Sequence, residues 1–306
     1  MGHTLKYHIG VLLVLLFGGC ANHPPKWFLN PQTSNNFFYG NGSSTDVAQA
    51  KNNAINDLAQ NIQTQIMSDT HLNNTQRNNI DSSELHQNIY LNVASLELQN
   101  LKTTKQSYVG DTFYIQVQIS KQDVLTPLTN RYNQNLQSLQ AIDRSCKSLN
   151  LRDFATLQTK LSDMRQITQI INLISPSNTI NNSTLQTFEN LLVSNMPAPK
   201  IKISYNNIPQ TEQDTLSSEI AKFFRITDEA DIGIMENTLS IQEKNNAFEA
   251  TLLTAIRDCH NNLLYQTSIK ETQQSRENAI KRISIVLYKK LSEYQNSQTN
   301  TPIPKF

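Results

Sequence analysis

The spacing of apolar residues changes period along this chain, and that change constrains the fold more than any other feature. Val47, Ala50, Ala54, Leu58, Ile62 and Ile66 recur every three or four residues, which lines one face of an α-helix. Phe113, Ile115, Val117 and Ile119 alternate instead with Tyr114, Gln116, Gln118 and Ser120, as in a strand with one buried face. Alternation returns in the last third at Phe248, Ala250, Leu252, Thr254 and Ile256. Helical and extended periods in separate blocks predict the α+β class: two small α/β units with antiparallel sheets, joined by an α-helical hairpin.

In the first block, Phe37 to Tyr39 reads as a short strand that Gly40-Asn41-Gly42 breaks. Ser43-x-x-Asp46 then has the spacing of a helix cap. Trp27, the only tryptophan, has two readings: a first piece of core with Phe28, which its large apolar area favours, or a residue at the membrane interface beside the anchor. Leu85, Ile89, Val93 and Leu96 fit one face of a second helix, and the same residues also fit an extended segment. Gly110-Asp111 supplies turn chemistry inside a β-hairpin from Thr103 to Ile119.

Thr126-Pro127 resembles a helix start, because a missing N–H is harmless at the first helical position. Leu128, Tyr132, Leu136, Leu139, Ile142, Cys146 and Leu149 form one helical stripe, and Phe154 to Ile174 holds another, with a break at 150–153. The last third reads as strand, helix, three strands and helix, with Asn261-Asn262 at a tight turn. The expected division is a signal peptide over 1–19, a tether over 20–26, an α/β domain over 27–125, a helical linker over 126–196, a second α/β domain over 197–295 and a flexible tail over 296–306.

The chain has 306 residues, a formal net charge of +1 and only 17% charged residues. That balance carries no electrostatic footprint for nucleic acid, and no nucleic-acid partner is expected. Cys146 and Cys259 leave two readings open: a disulfide in an oxidising compartment, or two small buried hydrophobes. Cys259-His260 has no second Cys/His pair at ligand spacing, so no metal is expected. No nucleophile elbow, phosphate-cradling loop or His-Glu-x-x-His motif is present. His71 and His86 sit among polar residues, and Glu84 and Glu97 are too far apart to be paired by spacing. The chain is therefore expected to have no catalytic residue and no cofactor.

Location is read from the N-terminus. An apolar run from Ile9 to Phe17 follows Lys6 and ends in Gly18-Gly19-Cys20. The run is about half the roughly 20 residues a membrane span requires, so it reads as a secretory signal. Phe17-Gly18-Gly19-Cys20 resembles the lipobox of bacterial lipoproteins, which implies that Cys20 is acylated and becomes the mature N-terminus. Ala21 in place of aspartate implies passage to the outer membrane, with the protein anchored by lipid and facing the periplasm.

Three groups of residues then carry a second resemblance. Pro25-Lys26-Trp27-Phe28 follows the cysteine, Tyr39-Gly40-Asn41-Gly42 precedes an alanine-rich helix, and Tyr108 precedes Gly110-Asp111-Thr112-Phe113-Tyr114-Ile115-Gln116-Val117. The pattern resembles the Lpp20 lipoprotein family and the N-terminal domain of the flagellar protein FlgT. The last third is similar in element order to small domains of the FlgT middle region and the TolB N-terminus. The resemblance implies a small α/β domain in the cell envelope and brings no catalytic residues. The expected function is a non-catalytic outer-membrane lipoprotein within a flagellar or secretion-associated assembly, with the membrane, other envelope proteins or further copies of itself as partners. A periplasmic module binding a small molecule or glycan is the alternative.

Overall fold

A computed structural model describes residues 23–30, 32–74, 100–175 and 182–297. Two compact units divide the chain, one of residues 1–129 with 170–178 and the other of residues 130–169 with 179–306. The segment 126–196, expected as a separate linker, is therefore shared between the units. The expected signal peptide, Cys20, the segment from Leu85 to Leu96 and the tail beyond 297 lie outside the described residues, as do Glu84, His86 and Glu97.

The first unit begins with the short helix α1 (Lys26–Leu29) and the strand β1 (Phe37–Ser44). Helix α2 (Val47–Asn74) follows, then the hairpin of β2 (Lys102–Val109) and β3 (Thr112–Ser120). The sheet order is β1-β3-β2, with β3 antiparallel to both neighbours. Gly110 turns the hairpin at φ 61°, a conformation that costs glycine little.

Gly40-Asn41-Gly42 does not break β1. It runs through the middle of the strand, because Gly40 and Gly42 face α2 at a distance that admits no side chain. A Cβ at Gly40 would lie 2.2 Å from the Ala54 carbonyl oxygen, and one at Gly42 would lie 2.2 Å from that of Ala50. The helix cap moves accordingly. The Asp46 carboxylate, not Ser43, accepts the Gln49 N–H at 2.8 Å.

The outer edge of β1 is satisfied by polar side chains spaced one helical turn apart on α2. Asn53 Nδ2 donates to the Ser43 carbonyl at 3.0 Å, and Asn61 Nδ2 donates to that of Tyr39 at 3.1 Å. Between them, Asp57 accepts the Asn41 N–H at 2.8 Å. Intervals of four along a helix match intervals of two along a strand, so one helix face caps three successive groups of an edge. On β3, Gln116 is fully buried, accepting from Thr104 Oγ1 at 3.1 Å and donating to Asn41 Oδ1 at 3.1 Å.

Helix α3 (Lys121–Gln140) continues directly from β3. Its cap is Ser120, whose hydroxyl accepts the Asp123 N–H at 3.0 Å and donates to the Asp123 carboxylate. The helix thus starts six residues before Pro127, which lies inside it and withholds one backbone hydrogen bond.

In the second unit α3 ends at Gln140, so Ile142, Cys146 and Leu149 lie on an irregular loop and not on the helical stripe expected of them. Helix α4 (Leu151–Ile174) follows. It is capped reciprocally, Asn150 Oδ1 accepting the Asp153 N–H at 2.9 Å and Asn150 Nδ2 donating to Asp153 Oδ2 at 2.8 Å. Helix α5 (Asn182–Asn195) leads into β4 (Lys200–Asn206), α6 (Gln210–Ile220) and the two-residue β5 (Arg225–Ile226). The long strands β6 (Gly233–Lys244), β7 (Ala247–Arg257) and β8 (Leu263–Gln273) precede helix α7 (Arg276–Asn296).

The second sheet has the order β5-β4-β6-β7-β8. It is mixed and not wholly antiparallel as expected: β4 runs parallel to β5 and β6, and the rest is an antiparallel meander. Asn245 and Asn246, at φ 54° and 58°, close the β6–β7 turn, where two left-handed residues match the twist of the strands. Ile201, Met235, Leu239, Leu252, Ile256 and Ile269 from the strands form a core with Leu216 and Ile220 of α6 and Ile283, Leu287 and Leu291 of α7. Arg276 donates to Glu212 at 2.8 Å, pairing the start of α7 with that of α6.

Candidate functional site: a cavity beside a disulfide

The loop after α3 has to be held by something other than regular structure, and its neighbours within the second unit supply that. Asn195, buried at the end of α5, accepts from Leu149 N at 2.9 Å and from Ser148 Oγ at 3.2 Å. The same Ser148 hydroxyl accepts the Lys200 N–H of β4 at 2.7 Å. Lys147 N donates to the Asp231 carbonyl at 2.9 Å, and Asp231 adopts φ 61°.

The sulfurs of Cys146 and Cys259 are joined in a disulfide that closes 113 residues of sequence. Each cysteine follows an aspartate that folds its own turn. Asp143 accepts the Ser145 N–H at 2.9 Å. Asp258 accepts those of His260 and Asn262 at 2.9 and 2.8 Å. Hydrogen bonds from Ser145 hold the Asp143 carboxyl below its ordinary value. Burial pulls Asp258 upward, yet the bonds from Asn262 and His260 outweigh it and leave that carboxyl lowered too. His260 brings a nitrogen within 4.8 Å of both sulfurs. Those sulfurs are bonded to each other, and a disulfide offers a metal no thiolate.

This loop borders a cavity of about 660 Å³, within the range that holds small-molecule ligands. Ser138, Cys146, Asn150, Arg152, Asp153, Lys160, Lys200, Arg257 and Asp258 are among its lining residues, with Ile142, Ile201, Phe224 and Leu264 as apolar wall. Lys200 and Arg257 are engaged by Glu229 at 2.6 Å and Glu236 at 3.1 Å. Arg152 differs, for its Nε is buried without a hydrogen-bond partner among the described residues. Burial pushes the Asp153 carboxyl up, against the hydrogen bond from Asn150. Nearby Tyr294 is 4% exposed, and burial pushes its phenol up to about 12. The cavity thus offers both signs of charge and several amide and hydroxyl groups beside an apolar wall.

Of the residues singled out in the sequence, the fold brings together Cys146 and Cys259. The cavity residues were not legible, since they come from positions scattered between Gln134 and Leu264. One signal was available: Asn150-x-x-Asp153 has cap spacing, and it places Arg152 and Asp153 at the cavity.

Comparison with known proteins turns on β4 to α7. Residues 198–289 match the family described as HP1454-like, the C-terminal domain of the LPP20 lipofamily. Over those residues the chain is similar to the LPP20-lipofamily C-terminal domain. The LPP20 match falls in the last third, whereas the motifs that carry the family resemblance lie between Pro25 and Val117. The match does not show the expected similarity to FlgT.

The solved structure of the secreted protein HP1454 from the human pathogen Helicobacter pylori is 18% identical and covers 86% of this chain and 98% of its own, with a TM-score of 0.54. At that identity the likeness is one of fold. A PelC dodecamer from Paraburkholderia phytofirmans is 12% identical over 31% of this chain and 86% of its own, with a TM-score of 0.24. No curated protein matches the chain. No helix among the described residues is long and apolar enough to cross a membrane.

Proposed function

We propose that this LPP20-type protein is a non-catalytic lipoprotein of the outer membrane, held by acyl chains on Cys20 and contributing to a multiprotein envelope assembly, flagellar or secretion-associated. The observation that carries the reading is the cysteine usage. Cys20 stands in a lipobox-like sequence, and the other two cysteines form a disulfide, a bond that persists in oxidising compartments outside the cytoplasm. The description of HP1454 as a secreted protein agrees with export. Two or three acyl chains, at about 0.8 kcal/mol per buried CH₂, make such an anchor effectively permanent. Tethered copies then meet partners at high local concentration, so modest interfaces suffice.

The test has two parts. Mass spectrometry of the mature N-terminal peptide is expected to show acylated Cys20, and Cys20→Ser is expected to release the protein from the membrane. Deleting the gene is then expected to disrupt an envelope complex visible by electron cryotomography. Intact complexes, together with substrate turnover by the purified protein, would overturn the assembly reading. The cavity supports the second reading, a small-molecule or glycan-binding module, which a ligand screen by thermal shift addresses.

A further inference from the structure

The chain that follows Cys20 is laid on the face of the first sheet opposite α2. Gly40 and Gly42 face the helix, so Tyr39, with Lys105 and Tyr114 by register, points the other way. Phe28 stacks edge-on against Tyr114 at 4.8 Å, and Trp27 meets Phe28 at 6.0 Å. Lys105 Nζ lies 5.9 Å from the Trp27 ring and donates to Gln32, which itself donates to Tyr39. Trp27 is therefore not the core residue its size predicts. It remains partly exposed, next in sequence to the exposed Lys26 and close to Leu29, which is 59% exposed, and the exposed Lys102 lies on the same sheet face by register.

We propose that Lys26, Trp27 and Leu29, with Lys102 and Lys105, form a contact surface for the phospholipid headgroup layer. The proposal rests on the acylation of Cys20 argued above. Seven residues from Cys20 to Trp27 span at most about 25 Å when fully extended, so the patch is never far from the acylated sulfur. Tryptophan is the side chain that settles at a membrane interface, its ring among acyl carbons and its N–H toward water. Lysines beside it meet anionic headgroups, and that attraction weakens with salt. The tether, the partly exposed aromatic ring, the exposed leucine and the basic rim thus all point to a bilayer as the occupant.

Trp27 is the only tryptophan of the chain, so tryptophan emission reports on this surface alone. The mature acylated protein is reconstituted into phosphatidylcholine–phosphatidylglycerol vesicles, with or without a lipid brominated high on its acyl chain. The expected result is a blue shift, quenching by the brominated lipid, and severalfold protection from aqueous iodide relative to the soluble Cys20→Ser form. Lys26→Glu with Leu29→Asp is expected to reverse these changes while acyl mass and vesicle retention stay the same. If the acylated, vesicle-bound protein shows iodide quenching equal to that of the soluble form and none from the brominated lipid, the surface is wrong and the anchor stands. A mature chain with no acyl mass would overturn both.

Discussion

Both units lay helices on a β-sheet, and they do it in opposite ways. In the first, β1 removes its side chains at Gly40 and Gly42, so that strand backbone meets helix backbone, and α2 returns polar groups to the strand edge. In the second, a layer of aliphatic side chains separates the sheet from α6 and α7. Contact through backbone leaves nothing that can shift, whereas a layer of side chains can repack. The first unit should therefore be intolerant of added volume, and the second tolerant of exchanged volume.

The largest expected effect tests that intolerance. Gly40→Ala places a methyl against the Ala54 carbonyl and Leu58 backbone, and is expected to cost about 3 kcal/mol or more, the upper end of overpacking. Leu287→Met in the second core is expected to cost less than about 1.5 kcal/mol. Urea titrations of the two full-length variants check the contrast, and equal losses would break it.

Removing the disulfide by Cys146→Ser with Cys259→Ser is expected to cost about 2–4 kcal/mol. Hydrogen exchange should show the loss in the second unit and leave β1 to β3 protected. Asp57→Ala strips one acceptor from the edge of β1 and is expected to cost about 1–2 kcal/mol, read by exchange at the Asn41 amide. The smallest effect concerns pH. The folded Asp153 carboxyl is raised by burial, so its contribution to stability is complete below its unfolded value and is lost as pH rises through its folded one. Asp153→Asn should flatten that dependence in thermal melts from about pH 3 to about pH 8, and an unchanged slope would show that Asp153 does not carry it.

Strands β3 and β7 were legible because each carries its own period, and the hairpin of β2 and β3 was legible from that period and the Gly110-Asp111 turn. What escaped the sequence depends on partners distant along the chain. Gly40-Asn41-Gly42 reads locally as a breaker, and only α2 reveals it as a packing surface. Thr126-Pro127 reads locally as a helix start, yet Ser120 caps the helix earlier with its own Asp123. The stripe through Ile142, Cys146 and Leu149 is helical in spacing, but the loop is held by Asn195, Ser148 and the disulfide instead. Asn245-Asn246 carried a turn signal as strong as that of Asn261-Asn262. The cavity was hidden because its lining assembles only when α3, α4, β4 and the β7–β8 loop come together.

The interleaving of the two units has a consequence for the order in which the chain can close. Residues 170–178 belong to the first unit although they follow residues 130–169 of the second, so neither unit is complete when its first stretch of chain emerges. A chain made from its N-terminus leaves the loop at Cys146 waiting for Cys259, 113 residues later. Under the export proposed above, that wait leaves the bond to form on the oxidising side of the membrane.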